Sequence, residues 1–528
     1  MNIAQFNDGT QSQSLGENEA GADSVQSARE SPHPAGTPAT RPFLLGQQPY
    51  SVLYLVALAV SVGLWFVAIR APLWLDETIS FWQINGGISS IWLRRGLSSP
   101  EYAYILWFFT KLTGTSEIAL RVPSILAMLG AVYLLYRAAS ELFERDIAFI
   151  VCTIFSLHAV IVFAAIDVRP YAFAALAINA AIFTLVRMRR SDSNWLAALL
   201  GVSAAFIVNF QPLFAVILPA LVICFFAVAS VNRKLLGRPL AIALAAFTVA
   251  FLPSVPTLLY MFRTSGSHVS DRAPSIADLL WTVAPVWVAV CCGIVAFLAS
   301  ATRKLDLESR VEAWRVVFCA ALGLIPIVIL FGVSVVTPIH IFAYRYCLVA
   351  IPGLALCWGW ILSRVESRVL RLLFCAGLVA ITSYRYVSNP ESVKHGYTWK
   401  YALDVLEKHA APDNAPVLMC SGVIEADYEP MPSGPAEDSE LFAPLTYYKL
   451  SVPVVSLPRG LNEEAVRVAA AFLQNPTTRH QHFFAVGWAP SYPTLDWIAN
   501  RASQTHQMRV LGTFDGVAVV EFLPIGRD

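Results

Sequence analysis

The chain has 528 residues, of which 56% are apolar and only 14% charged. Soluble chains average about 45–50% apolar and about 25% charged, so the deficit of charge points to lipid as the solvent. A formal net charge of +1 supplies no field for nucleic acid and no basic stripe suggests one, which excludes that class of partner.

Residues 1–45 are rich in Gln, Ser, Gly, Pro and acids and nearly devoid of large apolar side chains. They cannot bury enough surface to offset the entropy of ordering, and a disordered tail is expected. No basic segment with a short apolar core opens the chain, so no cleaved signal is expected. The first apolar run, Tyr50–Ile69, is of spanning length for a bilayer core of about 30 Å and is expected to stay as an anchor.

Ten further runs follow: Ile118–Tyr136, Ile147–Ile166, Tyr171–Val186, Asn194–Asn209, Leu213–Val231, Leu240–Phe262, Leu279–Ala301, Trp314–Val336, Tyr346–Leu362 and Val369–Val387. An α-helical polytopic membrane protein of about eleven spans is expected. One alternating set of loops is basic: Arg137 and Arg145; Arg187, Arg189 and Arg190; Arg233, Lys234 and Arg238; Arg303, Lys304 and Arg310; Arg364, Arg368 and Arg371. Positive residues mark the cytoplasmic side. The N-terminus is thus expected in the cytoplasm and the region after the eleventh span outside it.

From about Ser388 the composition turns soluble. A helix in "WKYALDVLEKHA", a helix capped by Asn462, a strand in "HFFAVGW" and an Asp-Gly hairpin in "RVLGTFDGVAVVEFLP" predict a small α/β domain over 391–528, after a membrane domain over 46–390. Eight of nine cysteines lie in apolar runs; Cys420 alone lies in the polar part and has no intradomain disulfide partner.

The loop between the first two spans, Arg70 to Glu117, is long and crowded with Trp and Tyr. Short helices in the interfacial plane are expected there. It opens on "PLWLDETISFWQ", with Asp76 and Glu77 adjacent at a lipid boundary. Such a pair is costly unless it serves a base, a cation or a helix start, where Asp76 would cap and Glu77 would sit in the first turn. On the same face, the turn "DVRPY" carries Asp167 and Arg169, and "HIFAYRYC" carries His340, Tyr344, Arg345 and Tyr346. Arginine offers a planar fork to a phosphate.

Taken in order, "LWLDE", "SSPEYAYILWFFTKLTGTSEIALRVPS", "LFERDIAFIVCTIFSLHAVIVFAAIDVRPYAF" and "YRYCLVAIPGLAL" give the chain its resemblance. Over residues 50–390 it resembles the polytopic glycosyltransferases of the GT-C type. The similarity is to the group of protein O-mannosyltransferases and the lipid A aminoarabinose transferase, and within it to bacterial RgtA/B/C/D-like members. The resemblance implies a polyprenyl-phosphate sugar donor, an extracytoplasmic acceptor (lipid, polysaccharide or protein) and a place in a bacterial inner membrane. It implies Asp76 as the catalytic base, with Glu77 and Asp167 as further catalytic acids and Arg169 and Arg345 as binders of donor phosphate. Glu101, Tyr102, Tyr104, Tyr171, His340, Tyr344 and Tyr346 are assigned to the donor and acceptor groove. The chain departs from the pattern at "SSPEYAY", where relatives read His-Pro-Pro-Leu-Tyr-Tyr; Ser98 or Ser99 replaces the His and Glu101 is added. That departure leaves open a catalytically inactive lipid-binding relative, and composition alone leaves open a transporter. Inverting transfer needs a carboxylate to take the acceptor proton and positive charge to stabilise the leaving phosphate. A divalent metal could supply that charge, but few carboxylates stand nearby and metal-independent action is favoured.

Overall fold

The computed structural model describes residues 49–94, 99–263, 273–283, 286–302, 313–337, 340–389, 398–476 and 480–526. The expected tail over 1–45, Ser98, and Arg303, Lys304 and Arg310 of one basic loop lie outside the described residues.

Among the described residues, eight helices are long and apolar enough to cross a membrane: α1 (Tyr50–Ala68), α5 (Glu117–Leu142), α8 (Tyr171–Met188), α10 (Pro212–Ala229), α11 (Arg238–Leu259), α14 (Ala313–Val336), α15 (Tyr344–Ser363) and α16 (Arg368–Ser388). A pair, α6 (Arg145–Leu157) and α7 (Ala159–Ala165), passes the same test only together and is bent by 73°. By length and composition, eight helices qualify, or nine with the bent pair as one span, where about eleven were expected. The Asn194–Asn209 run is the helix α9 (Asn194–Phe210), 17 residues and short of the criterion. The Leu279–Ala301 run is divided between α12 (Ile276–Val283) and α13 (Val286–Ala301).

The α6–α7 bend contains no proline. His158 causes it: its backbone is extended (φ −65°, ψ 129°), and its Nδ1 accepts the Val160 N–H at 3.3 Å, capping α7 with a side chain. The bend carries Phe163 of α7 against Trp74, ring centroids 5.9 Å apart. Close packing fixes α15. A Cβ on Gly353 would lie 2.2 Å from the Leu322 carbonyl carbon of α14, so only glycine permits this approach.

Three short helices fill the loop between α1 and α5: α2 (Leu75–Asn85), α3 (Ile88–Ile91) and α4 (Pro100–Thr113). Ser99 caps α4, accepting the Tyr102 N–H at 3.3 Å.

The C-terminal region holds the helices α17 (Lys400–Ala410), α18 (Ala443–Tyr447), α19 (Glu463–Gln474) and α20 (Tyr492–Ala502). Its strands are β1 (Val417–Cys420), β2 (Val454–Leu457), β3 (Phe483–Trp488), β4 (His506–Phe514) and β5 (Val517–Pro524), in the order β2-β1-β3-β5-β4. β1 runs parallel to β2 and β3, and β5 is antiparallel to β3 and β4. Asp515 and Gly516 both have positive φ (48° and 84°), as a two-residue hairpin demands. Asn462 caps α19, accepting the Ala465 N–H at 2.9 Å. One face of the sheet packs on α19 and α20 through Ala469, Leu495 and Ile498. The other packs on α17 and, through Ile79 and Trp82, on α2. α2 therefore belongs to the core of the C-terminal sheet as well as to the membrane-side loop.

Candidate active site

The segment that leads into α2 is held by one buried cation. Arg121 of α5 is fully buried and donates from Nη1 to the carbonyls of Ile69 (2.7 Å) and Ala71 (2.6 Å). Its Nη2 meets Glu77 Oε2 at 2.8 Å and its Nε meets Oε1 at 3.3 Å. Glu77, also fully buried, accepts in addition the backbone N–H groups of Trp74 (3.1 Å) and Val168 (2.9 Å). Both Glu77 oxygens are thus occupied by donors that tie together α1's end, α2 and the Asp167 turn. The sequence grouped Glu77 with Asp76 as catalytic; its geometry is that of a brace.

Asp76 is placed differently. The helix begins two residues earlier than the sequence suggests, so Trp74 is the N-cap and Asp76 lies inside the first turn, not at the cap. Its carboxylate keeps 20% of its surface exposed, and Oδ2 accepts from Arg345 Nη1 at 3.1 Å. Arg345 stands on the first turn of α15 with its guanidinium 5.2 Å from the Tyr346 ring centre. Arg169 Nη1 approaches the backbone oxygen of the same Asp76 at 3.4 Å. Asp76, Arg169 and Arg345, from three remote stretches of sequence, meet at one place.

Asp167 lies behind them, fully buried. Its Oδ1 accepts the Trp74 indole N–H at 3.0 Å, while Oδ2 has no hydrogen-bond partner. Burial pushes this carboxyl well above the usual range and the neighbouring Glu77 charge adds to the rise, against the Trp74 hydrogen bond. Tyr102 is buried with an unpaired hydroxyl.

The remaining groove candidates divide. Both Glu101 oxygens accept from serines, Ser99 and Ser254, each at 2.9 Å, so this added acid pins α4 to α11. Tyr171 is buried beside Phe214 and His340 Nδ1 lies 2.8 Å from the Ser334 carbonyl. Tyr104 and Tyr344 are exposed. Tyr344 lines a cavity of about 220 Å³ with Pro274, Asp278, Trp281, Thr282 and Phe342. Thr282 also lines an apolar slot between α6, α15 and α16, with His158, Leu157, Ile351 and Trp358.

Sequence reasoning missed Arg121, though an arginine one turn into an apolar span is itself a signal. It also missed the C-terminal contribution. Trp74 forms a bridge pair with Thr398. The Leu73 N–H donates to the Tyr448 hydroxyl at 2.7 Å, and that hydroxyl donates to Glu117 at 3.0 Å, which Lys400 meets at 3.2 Å. Tyr448→Phe removes this link and keeps the ring. The expected result is a loss of about 1–3 kcal/mol of stability, the range for losing hydrogen bonds that include one to a charged group; an unchanged thermal midpoint counts against coupling through Tyr448.

Among the described residues, no group of three or more His, Cys, Asp or Glu is placed to hold a metal ion.

A family model described as dolichyl-phosphate-mannose-protein mannosyltransferase matches residues 98–260. No curated protein matches the chain by sequence. Among solved structures, ArnT from Cupriavidus metallidurans bound to undecaprenyl phosphate is similar, with a TM-score of 0.53 and 14% identity, over 89% of this chain and 98% of that one. The apo form of the same protein matches with a TM-score of 0.52 and 13% identity, over 90% and 98%. The chain shares the fold of this protein, C-terminal region included.

Proposed function

We propose that the protein is an inverting glycosyltransferase that moves a sugar from a polyprenyl-phosphate donor to a hydroxyl of an extracytoplasmic acceptor. The observation that carries this reading is the meeting of Asp76 with Arg345 at 3.1 Å, Arg169 being on the backbone of the same residue. A partly exposed carboxylate beside two guanidinium groups has the complement that the reaction needs. The solved relative holds undecaprenyl phosphate, a lipid of the matching class.

Arg345 and Arg169 bind the donor phosphate. As the phosphate engages Arg345 it competes with the Asp76 carboxylate and frees Oδ2 to accept a proton. The acceptor hydroxyl oxygen then bonds to the anomeric carbon, the bond from that carbon to the phosphate oxygen breaks, and the hydroxyl proton passes to Asp76. The polyprenyl phosphate departs with its added charge held by the arginines. Glu77 and Arg121 keep the loop in place, and Asp167 fixes Trp74. The cavity of about 220 Å³ beside Tyr344 offers a place for the first isoprene unit. Counting the bent pair, the shorter α9 and the α12–α13 segment as one crossing each gives eleven, an odd number that, with the basic loops, supports a cytoplasmic N-terminus in a bacterial inner membrane and a sheet outside it, on the acceptor's side.

The test is transfer by membranes supplied with labelled polyprenyl-phosphate sugars. Arg345→Ala is expected to weaken donor affinity at least about tenfold, the scale of a lost charge-assisted pair, with acceptor KM unchanged. Equal donor affinity in the variant removes Arg345 from the phosphate site.

A further inference from the structure

The parallel part of the C-terminal sheet holds a second constellation. From β1 the chain passes to β2 on one flank and later to β3 on the other. The gap between β1 and β3 is therefore a topological switch point, and open α/β sheets bind ligands outside the carboxyl ends of strands at such points. Three loops meet there. Arg459, two residues past β2, lies with its guanidinium carbon 5.3 Å from the Trp488 ring centre at the end of β3. Asp427, from the loop after β1, stands 4.0 Å from Arg459 Nη1, beyond hydrogen-bond length, and its Oδ1 already accepts the Gly460 N–H at 2.8 Å. The Arg459 side chain is 13% exposed, yet its Nε has no hydrogen-bond partner.

A guanidinium carries five N–H donors, and burying one with donors unfilled is costly unless an anion completes it. The frame around it is firm. The Ser491 hydroxyl donates to the Arg459 carbonyl at 2.6 Å, and a Cβ on Gly487 would lie 2.8 Å from Ser491 Cβ. Tyr428, next to Asp427 in sequence, is 69% exposed. The same loop reaches the catalytic segment: a Cβ on Gly422 would lie 3.1 Å from Leu75 Cδ2, and Leu75 adjoins Asp76.

We propose that this edge is an acceptor subsite for an anionic sugar, its carboxylate or phosphate seated on Arg459 and its ring against Tyr428. A planar fork suits either oxyanion, and an exposed aromatic on the loop that carries Asp427 suits a sugar face. The word acceptor rests on the transferase reading; the binding of an acidic sugar does not.

The experiment uses full-length protein in lipid nanodiscs carrying Asp76→Asn, so that binding is scored apart from turnover. Glucuronic acid, glucose 1-phosphate and glucose are titrated by calorimetry. One or both acids bind, at least tenfold more tightly than glucose, and the acid that binds identifies carboxylate or phosphate. Arg459→Gln lowers that affinity at least tenfold, and Arg459→Lys by less, since it keeps the charge and loses the fork. Should Arg459→Gln fail to fold, Tyr428→Ala, a change at an exposed ring, carries the test with an expected loss of threefold or more. Failure of both acids, equal binding of glucose, or unchanged affinity in the folded variants overturns the subsite. The transferase reading fails separately, if Asp76→Asn still transfers sugar.

Discussion

Asp76→Asn is expected to lower kcat for sugar transfer by about a thousandfold, within the usual range for loss of a general base, while donor affinity stays within about twofold. The substitution is isosteric. The asparagine carbonyl oxygen still accepts from Arg345 Nη1, now 3.1 Å from Asp76 Oδ2, so the phosphate-binding side of the site keeps its shape. The amide cannot take up the acceptor's proton. Because Asp76 lies in the first turn of α2, braced from behind by Glu77, the helix loses no cap. Single-turnover kinetics with labelled donor separate the two effects, and near-normal turnover would remove Asp76 from the base role.

Arg121→Ala is expected to destabilise the protein by about 3–5 kcal/mol, the range for breaking a buried ion pair by removing one partner. Glu77 would be left as a buried charge with two backbone donors, and the carbonyls of Ile69 and Ala71 would each lose a partner. The segment entering α2 then keeps only its ties to Tyr448, Thr398 and Asp167. Thermal unfolding in detergent measures this. A clear drop in midpoint is expected for Arg121→Ala and none for Asp76→Asn, and a wild-type midpoint in the Arg121 variant would show that the brace contributes little. The contrast separates neighbouring acids that a sequence cannot tell apart. Successive helical residues point about 100° apart, and here one carboxylate turns to Arg121 while the other faces Arg345.

The parts of this architecture that depend on local pattern were legible. Apolar runs located the membrane helices, the Asp-Gly dipeptide located the β4–β5 turn, and Asn462 located the start of α19. The alternation of basic loops led to one shared face for Asp76, Arg169 and Arg345, and the three meet in the structure. What depends on long-range packing was hidden. The 73° bend at His158 has no proline to announce it. Tyr448 reaches Leu73 across 375 residues of sequence. Glu101, conspicuous as an acid in place of an expected residue, turned out to hold two serine hydroxyls, a use its sequence context does not reveal. The span count differed because α9 and α13 fall just below full crossing length, where hydropathy alone does not discriminate.

In the proposed mechanism Asp76, Arg169 and Arg345 form one donor pocket at the membrane boundary. The most direct measurement is an experimental structure of the protein in nanodiscs with a bound polyprenyl-phosphate sugar. The account predicts the phosphate within hydrogen-bond reach of Arg345 and Arg169, with the anomeric carbon on the side of the Asp76 carboxylate and the isoprene chain entering beside Tyr344. A phosphate bound elsewhere, with Asp76 still paired to Arg345 and no sugar near it, would contradict the account.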